Sequence, residues 1–157
     1  MAKYTTFACN ELCHEVVAAM GTKGAAKVSV VSAVADDFTI STNRETLTFI
    51  LSELLDNAAR FAGQGDITLG CRQGEDDTVM FTVTDTGPGI DRADRDRIFT
   101  RFTKLDSFSE GIGLGLPLCR HLTLLLGGQL VLDDSYTDGA RFIIVLPRQL
   151  KENSINL

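Results

Sequence analysis

SELLDNAARFA, residues 52–62, has the spacing of an amphipathic helix, and the polar residues beside its apolar stripe decide what kind of domain surrounds it. Leu47, Ile50, Leu51, Leu54, Leu55, Ala58 and Phe61 fall on one face at about 100° per residue. At the same rotation Glu53 and Asn57 lie about 40° apart with Arg60 close by, so an acid, an amide and a base form one row at the edge of the stripe. On this helix alone a solvated polar row explains the trio better than a binding site does. Just upstream, TNRE at 42–45 reads as a capping box, with Thr42 as N-cap and Glu45 three residues on, so the helix is expected to begin there.

Away from this helix the chain alternates between helical and strand-like spacing. NELCHEVVAAM, 10–20, places Leu12, Val16 and Ala19 on one helical face behind Asn10, a residue suited to capping. KVSVVSAV (27–34) and DFTIS (37–41) are β-branched and alternating. DITLGCRQ (66–73) and TVMFTVTD (78–85) form a second strand pair across the turn-like GEDD. DRADRDRIFTRF, 91–102, predicts a short helix capped by Asp91 and anchored by Ile98, Phe99 and Phe102, followed by a polar loop over 103–110. A helix is expected around 114–126 with Pro117 in its first turn and Gly127-Gly128 at its end. GQLVLDDS and ARFIIVLP then read as a hairpin joined by YTDG. This order predicts an α+β fold, a two-layer sandwich of helices on one sheet, in a single domain spanning 1–157 with its core at about 7–147 and weak tails at 1–6 and 148–157.

Composition limits the partners. The 157 residues are 44% hydrophobic, enough for one core, and the formal charge of -6 disfavours a grip on nucleic-acid phosphates. A small anion answers to local charge, and Arg92, Arg95, Arg97, Arg101 and Lys104 cluster, though a solvated face of mixed charge also accounts for them. No apolar run reaches the roughly 18 residues of a membrane span, and the first residues lack a signal-peptide pattern, so a soluble domain without direct membrane contact is expected. Cys9, Cys13, Cys71 and Cys119 make no disulfide framework, and Cys9, Cys13 and His14 lack a second ligand pair for zinc, which leaves reduced, structural thiols.

Two glycine-rich segments carry more chemistry. DTGPGI, 85–90, supplies Asp85 at a strand end and then Gly87 and Gly89 around Pro88, where the backbone turns tightly. GIGLGL, 111–116, leads into a helix whose free N–H groups suit phosphate. It is not the dinucleotide fingerprint, because residue 116 is Leu, and the chain holds no GxxxxGK[ST] loop.

ELLDN, DTGPGI, IFTRF and GIGLGL, in that order and covering about residue 7 to Pro147, resemble the nucleotide-binding domain of sensor histidine kinases in the GHKL ATPase superfamily. The resemblance implies the Bergerat fold, with helices on one face of a mixed sheet, and it implies ATP and Mg2+ as ligands. It gives Asn57 to the magnesium that bridges the phosphates and Glu53 to a metal-bound water or to proton transfer, a hard-donor pair that magnesium favours. Arg60 stands near phosphate, and Phe61 is offered to adenine, with core packing the equal alternative. Asp85 matches the acceptor of the adenine amine, with Gly87, Gly89 and Ile90 passing close to base and sugar. Phe99 and Phe102, with Arg101 between them, resemble the hinge of an ATP lid that contains Lys104, and Gly111, Gly113, Leu114 and Gly115 resemble the second phosphate-holding glycine box. One departure is Gly139-Ala140, where the family often has Gly-Thr with the Thr near the base.

By the same resemblance the phosphoacceptor is a histidine on a separate dimerisation domain, with a response regulator downstream and a cytoplasmic location. His14 precedes Glu15 but no proline follows in the family's place, and the segment aligns with the first helix of the nucleotide domain; His121 is expected at a surface or helix end. A stand-alone serine kinase of the anti-sigma-factor type and a non-catalytic ATP sensor are the alternatives. Gyrase-like and MutL-like relatives need a transducer domain that 157 residues do not accommodate.

Overall fold

A computed structural model describes residues 3–20, 27–62, 65–91, 95, 98–99 and 112–150. In chain order the elements are β1 (Thr5–Ala8), α1 (Cys9–Met20), β2 (Lys27–Ser32), β3 (Thr39–Thr42), α2 (Arg44–Ala62), β4 (Asp66–Gln73), β5 (Thr78–Asp85), α3 (Ile112–Leu125), β6 (Gln129–Leu132) and β7 (Ala140–Pro147). The five-stranded sheet runs β2-β4-β5-β7-β6, with β2 parallel to β4 and the other pairs antiparallel. Strands β1 and β3 form a separate antiparallel pair with Phe7 opposite Ile40.

Alternation decides the layers. On β4, β5 and β7 every second side chain is buried: Ile67, Leu69 and Cys71; Val79, Phe81 and Val83; Phe142, Ile144 and Leu146. These meet the fully buried stripe of α2, Leu47, Ile50, Leu51, Leu54 and Leu55. Truncating any of those leucines to Ala would open a cavity costing about 2–5 kcal/mol. The expected α+β, two-layer arrangement on a mixed sheet is the one observed. The hairpin β4–β5 turns through Asp76 and Asp77, both left-handed at φ 55° and 57°, a backbone twist that suits a tight hairpin.

Local details differ from the sequence reading where a long-range partner decides them. Helix α2 starts at Arg44, and its cap is Asn43, whose Oδ1 accepts from the Thr46 N–H at 2.8 Å. Thr42 ends β3 instead, fully buried, with no hydrogen-bond partner for its hydroxyl among the described residues. Asn10 does not cap α1; its amide donates to the Val34 carbonyl (3.0 Å) and to Asp36 Oδ1 (2.8 Å) and accepts from Ser32 Oγ (2.5 Å), tying the helix to the segment after β2. The buried stripe of α1 passes through Leu12, Cys13, Val16 and Met20, while Ala19 is exposed. Pro117 lies in the second turn of α3, because that helix begins at Ile112. The expected weak tails are partly structured: Thr5 and Thr6 belong to β1, and Leu150 is buried with its N–H on the Ser41 carbonyl.

All four cysteines are free and buried. Cys9 and Cys13, one turn apart, meet Cys71 of β4; the hydrogen bond with Cys13, together with burial, pushes the Cys71 pKa up to about 12 against the opposing bond with Cys9. Burial, reinforced by the Glu53 carboxylate, does the same for Cys119. Such thiols are packing groups rather than nucleophiles.

Candidate functional site

The alternation that builds the core of β5 does not stop at Val83. Asp85 takes the next inward position and is 3% exposed, so a carboxylate sits where a hydrophobic side chain would be expected. Across the β5–β7 ladder its partner is Ala140, the first inward residue of β7, whose single methyl leaves room beside the carboxylate. On the helix layer Asn57 follows the buried stripe of α2 and is 4% exposed. Asn57, Ala58, Asp85, Gly89, Ile90, Leu116, Ala140 and Phe142 together line one pocket. The row read from the sequence as a boundary is therefore graded: Asn57 is buried, Glu53 half-buried and Arg60 exposed.

Two backbone N–H groups hold Asp85, Gly87 at 2.9 Å and Ala140 at 3.3 Å, and both reach Oδ1. Oδ2 accepts no hydrogen bond from the described residues, and Asp85 lines the pocket. Burial raises the pKa of this carboxyl, and the two N–H donors oppose that rise. Two glycines make the geometry possible. A Cβ on Gly139 would overlap the Asp85 carbonyl, and one on Gly89, left-handed at φ 79°, would lie 2.9 Å from the Gly139 carbonyl. Gly89 is thus required by the neighbouring loop, and Gly87 acts through its N–H.

At the other end of the pocket Asn57 Nδ2 is buried without a hydrogen-bond partner among the described residues. An unmet buried amide is a deficit that a ligand would relieve. Glu53, one turn earlier, approaches α3: a Cβ on Gly115 would stand 3.3 Å from its Oε2. Gly113, Leu114 and Gly115 lie in the first turn of α3, where backbone N–H groups have no helical partner. Phe99 packs edge-on against Phe142 at 6.1 Å, and the Arg120 guanidinium lies 4.8 Å from its ring centroid. Ile98 is fully buried, and Arg95 pairs with Asp134 at 2.9 Å.

Among the predicted residues, the structure brings Asn57, Asp85, Gly89 and Ile90 onto one surface, with Glu53 and Gly115 facing each other nearby. Arg60 is exposed in the last turn of α2, and His14 and His121 are exposed on their helices. Phe102, Lys104, Gly111 and the expected lid at 103–110 lie outside the described residues, as do most of the short helix at 91–102 and the side chains of Phe61 and Leu114. Leu116 and Phe142 complete the wall without having been predicted; continuing the inward alternation of ARFIIVLP would have found Phe142. A larger concavity, about 490 Å³, lies on the outer face of the sheet over Gly70, Met80, Thr82 and Ile143. It does not contain Asn57 or Asp85, and the smaller pocket is the one that gathers the chemistry.

The pattern described as "Histidine kinase-, DNA gyrase B-, and HSP90-like ATPase" matches residues 42–150. The sensor protein kinase CarS of Pseudomonas aeruginosa is 40% identical over 107 residues, covering 68% of this chain and 24% of that protein. The adaptive-response sensory kinase SasA of Gloeothece citriformis is 31% identical over 150 residues, covering 92% of this chain and 38% of its own length. The chain therefore spans well under half the length of these curated relatives. The nucleotide-free catalytic domain of histidine kinase ThkA superposes with a TM-score of 0.82 at 25% identity, covering 94% of this chain and 97% of that domain. Full-length ShkA in complex with AMPPNP gives a TM-score of 0.82 at 25% identity over 94% of this chain and 31% of ShkA.

Proposed function

Because the chain belongs to the histidine kinase-, DNA gyrase B-, and HSP90-like ATPase family, we propose that it binds ATP with Mg2+ and donates the γ-phosphate to a histidine on a separate dimerisation domain. In this reading it is the catalytic part of a two-component sensor histidine kinase, acting on the cytoplasmic side, with a response regulator downstream. The observation that carries the proposal is the pairing, in one pocket, of a buried carboxylate with an acceptor to spare and a buried amide without a partner.

Each end of the pocket has its part. Asp85 Oδ2 accepts the exocyclic amine of adenine, which a keto base at that position cannot donate. Leu116, Ile90 and Phe142 supply apolar walls for the ring. The amide of Asn57 and the carboxylate of Glu53 are the hard donors that would hold magnesium, an ion that keeps most of its waters and needs few protein ligands. Asn57 Oδ1 is the atom that would take the ion, and the unmet Nδ2–H suits a phosphate oxygen beside it. When bound, the ion neutralises charge on the phosphates. The first-turn N–H groups at Gly113–Gly115 point the positive end of α3 at the same charge. Arg60 adds a cation at the end of α2. Glu53 orients or accepts a proton at the phosphate end; the nucleophile comes from the partner domain, so this domain's work is alignment and charge neutralisation.

Titration calorimetry of the chain with AMPPNP, with and without Mg2+, tests the binding half. Magnesium-dependent heat at one site is expected, and its absence from folded protein overturns the reading. Transfer is tested by adding an isolated dimerisation domain from a matching kinase with labelled ATP; acid-labile, histidine-linked label is the expected product.

A further inference from the structure

The loop from Asp133 to Gly139, read from the sequence only as the turn YTDG, reaches back to the base end of the pocket. Asp133 Oδ1 accepts the Ser135 N–H (2.9 Å) and hydroxyl (2.6 Å), which pins the loop's first turn. Its Oδ2 stands 3.6 Å from the guanidinium of Arg141. Arg141 also donates from Nε to Thr84 Oγ1 at 3.1 Å and lies over the ring of Tyr136, 4.2 Å from the centroid. Held beneath that guanidinium, Tyr136 donates its hydroxyl to the backbone carbonyl of Asp85 at 3.2 Å. A seven-residue loop and its flanks therefore supply two of the contacts to one residue, the Ala140 N–H to the carboxylate and the Tyr136 hydroxyl to the peptide.

The placement is specific. The Asp85 carbonyl marks the point where the chain leaves the sheet for Thr86–Gly89, and the peptide there turns together with the Cα that carries the carboxylate. Gly139 must lack a Cβ for the loop to come this close. We propose that Tyr136 is a positioning residue for base recognition: its hydroxyl, aimed by the Arg141 stack, fixes the Asp85 peptide so that Oδ2 meets the amine of a 6-aminopurine. The proposal rests on the reading of Asp85 as the acceptor of that amine.

Selectivity for the base separates this role from a merely structural one. The wild-type chain, Tyr136→Phe and Asp85→Asn are each titrated with AMPPNP and with the inosine counterpart, whose 6-oxo group accepts where adenine donates. Tyr136→Phe keeps the ring under Arg141 and removes only the hydroxyl. It is expected to weaken AMPPNP three- to tenfold, leave the inosine analogue unchanged, and so narrow the preference by the same factor, with the melting transition close to wild type. An equal loss for both nucleotides, or no change in the ratio while Asp85→Asn narrows it, overturns the role of Tyr136 and leaves that of Asp85 standing. A ratio unaffected by Asp85→Asn overturns the reading of Asp85, and the proposal with it.

Discussion

The two ends of the pocket are finished to different degrees. At one end the Asp85 carboxylate has two N–H donors on one oxygen, its carbonyl has Tyr136, and two glycines close the turn around it. At the α2–α3 end, Asn57 Nδ2 is buried with no described residue to bond, and Glu53 faces a glycine. The Asp85 end is preorganised by the protein alone, whereas the Asn57 end holds an amide N–H that no described residue meets. Preorganisation reduces what binding must spend on ordering, so in the proposed reading the Asp85 end is the one for selection and the Asn57 end the one for chemistry.

If the comparison holds, substitutions at the two ends should separate binding from stability differently. Asn57→Ala is expected to have the largest effect, weakening AMPPNP in the presence of Mg2+ by about a hundredfold, since bonds to charged groups contribute about 1.5–3 kcal/mol. Its melting temperature should hardly move, because the lost Nδ2 made no bond. Calorimetry beside thermal denaturation checks both; a large loss of stability would mean that the amide has a structural partner.

Asp85→Asn should weaken AMPPNP by about tenfold to a hundredfold, since a donor then faces the base's amine. Its effect on stability has the opposite sign. Burial raises the Asp85 pKa, so the folded state holds its proton to higher pH than the unfolded state. The stability associated with the neutral acid is then full below the unfolded value of about 4 and is lost as pH rises through the raised folded value. The variant, with nothing to ionise, should match wild type in acid and exceed it at neutral pH. Denaturant titrations across that range would show the gap opening with pH, and a gap that narrows would sink the argument. The smallest change expected is from Ala140→Thr, which places a hydroxyl beside Asp85 and should tighten AMPPNP about threefold through a bridging water. Weaker binding would mean that the space left by Ala140 belongs to the base itself.

What could be read in advance follows from the range of the interactions. The stripe of α2 and the alternation of TVMFTVTD are local periodicities, and the burial of the five α2 leucines and isoleucines follows from them. Asp85 was legible as a residue on that alternation and as part of DTGPGI. Strand β1 was not, because TTFA becomes a strand only by pairing with Thr39–Thr42 more than thirty residues away. Asn43 displaced Thr42 as the cap because the preceding strand drew Thr42 into the core. Tyr136 was hidden for a similar reason: within YTDG it is an ordinary loop residue, and only the fold of β7 against β5 brings it to Asp85.

The mixed pairing of the sheet also orders its assembly in time. Strands β4 and β5 are joined by four residues, whereas β2 and β4, lying parallel, are separated by 33 that include β3 and the whole of α2. Loop-closure entropy alone sets these apart by about 2 kcal/mol, three doublings of loop length at roughly 0.6 each. The hairpin that ends in Asp85 is therefore the cheap early contact, and the β2 edge waits until α2 has laid its leucines down. By the same measure β5 and β7, which meet at Asp85 and Ala140 across 54 intervening residues, close the longer loop, so the Asp85 end of the pocket is begun by the most local pair of the sheet and completed by a far more distant one.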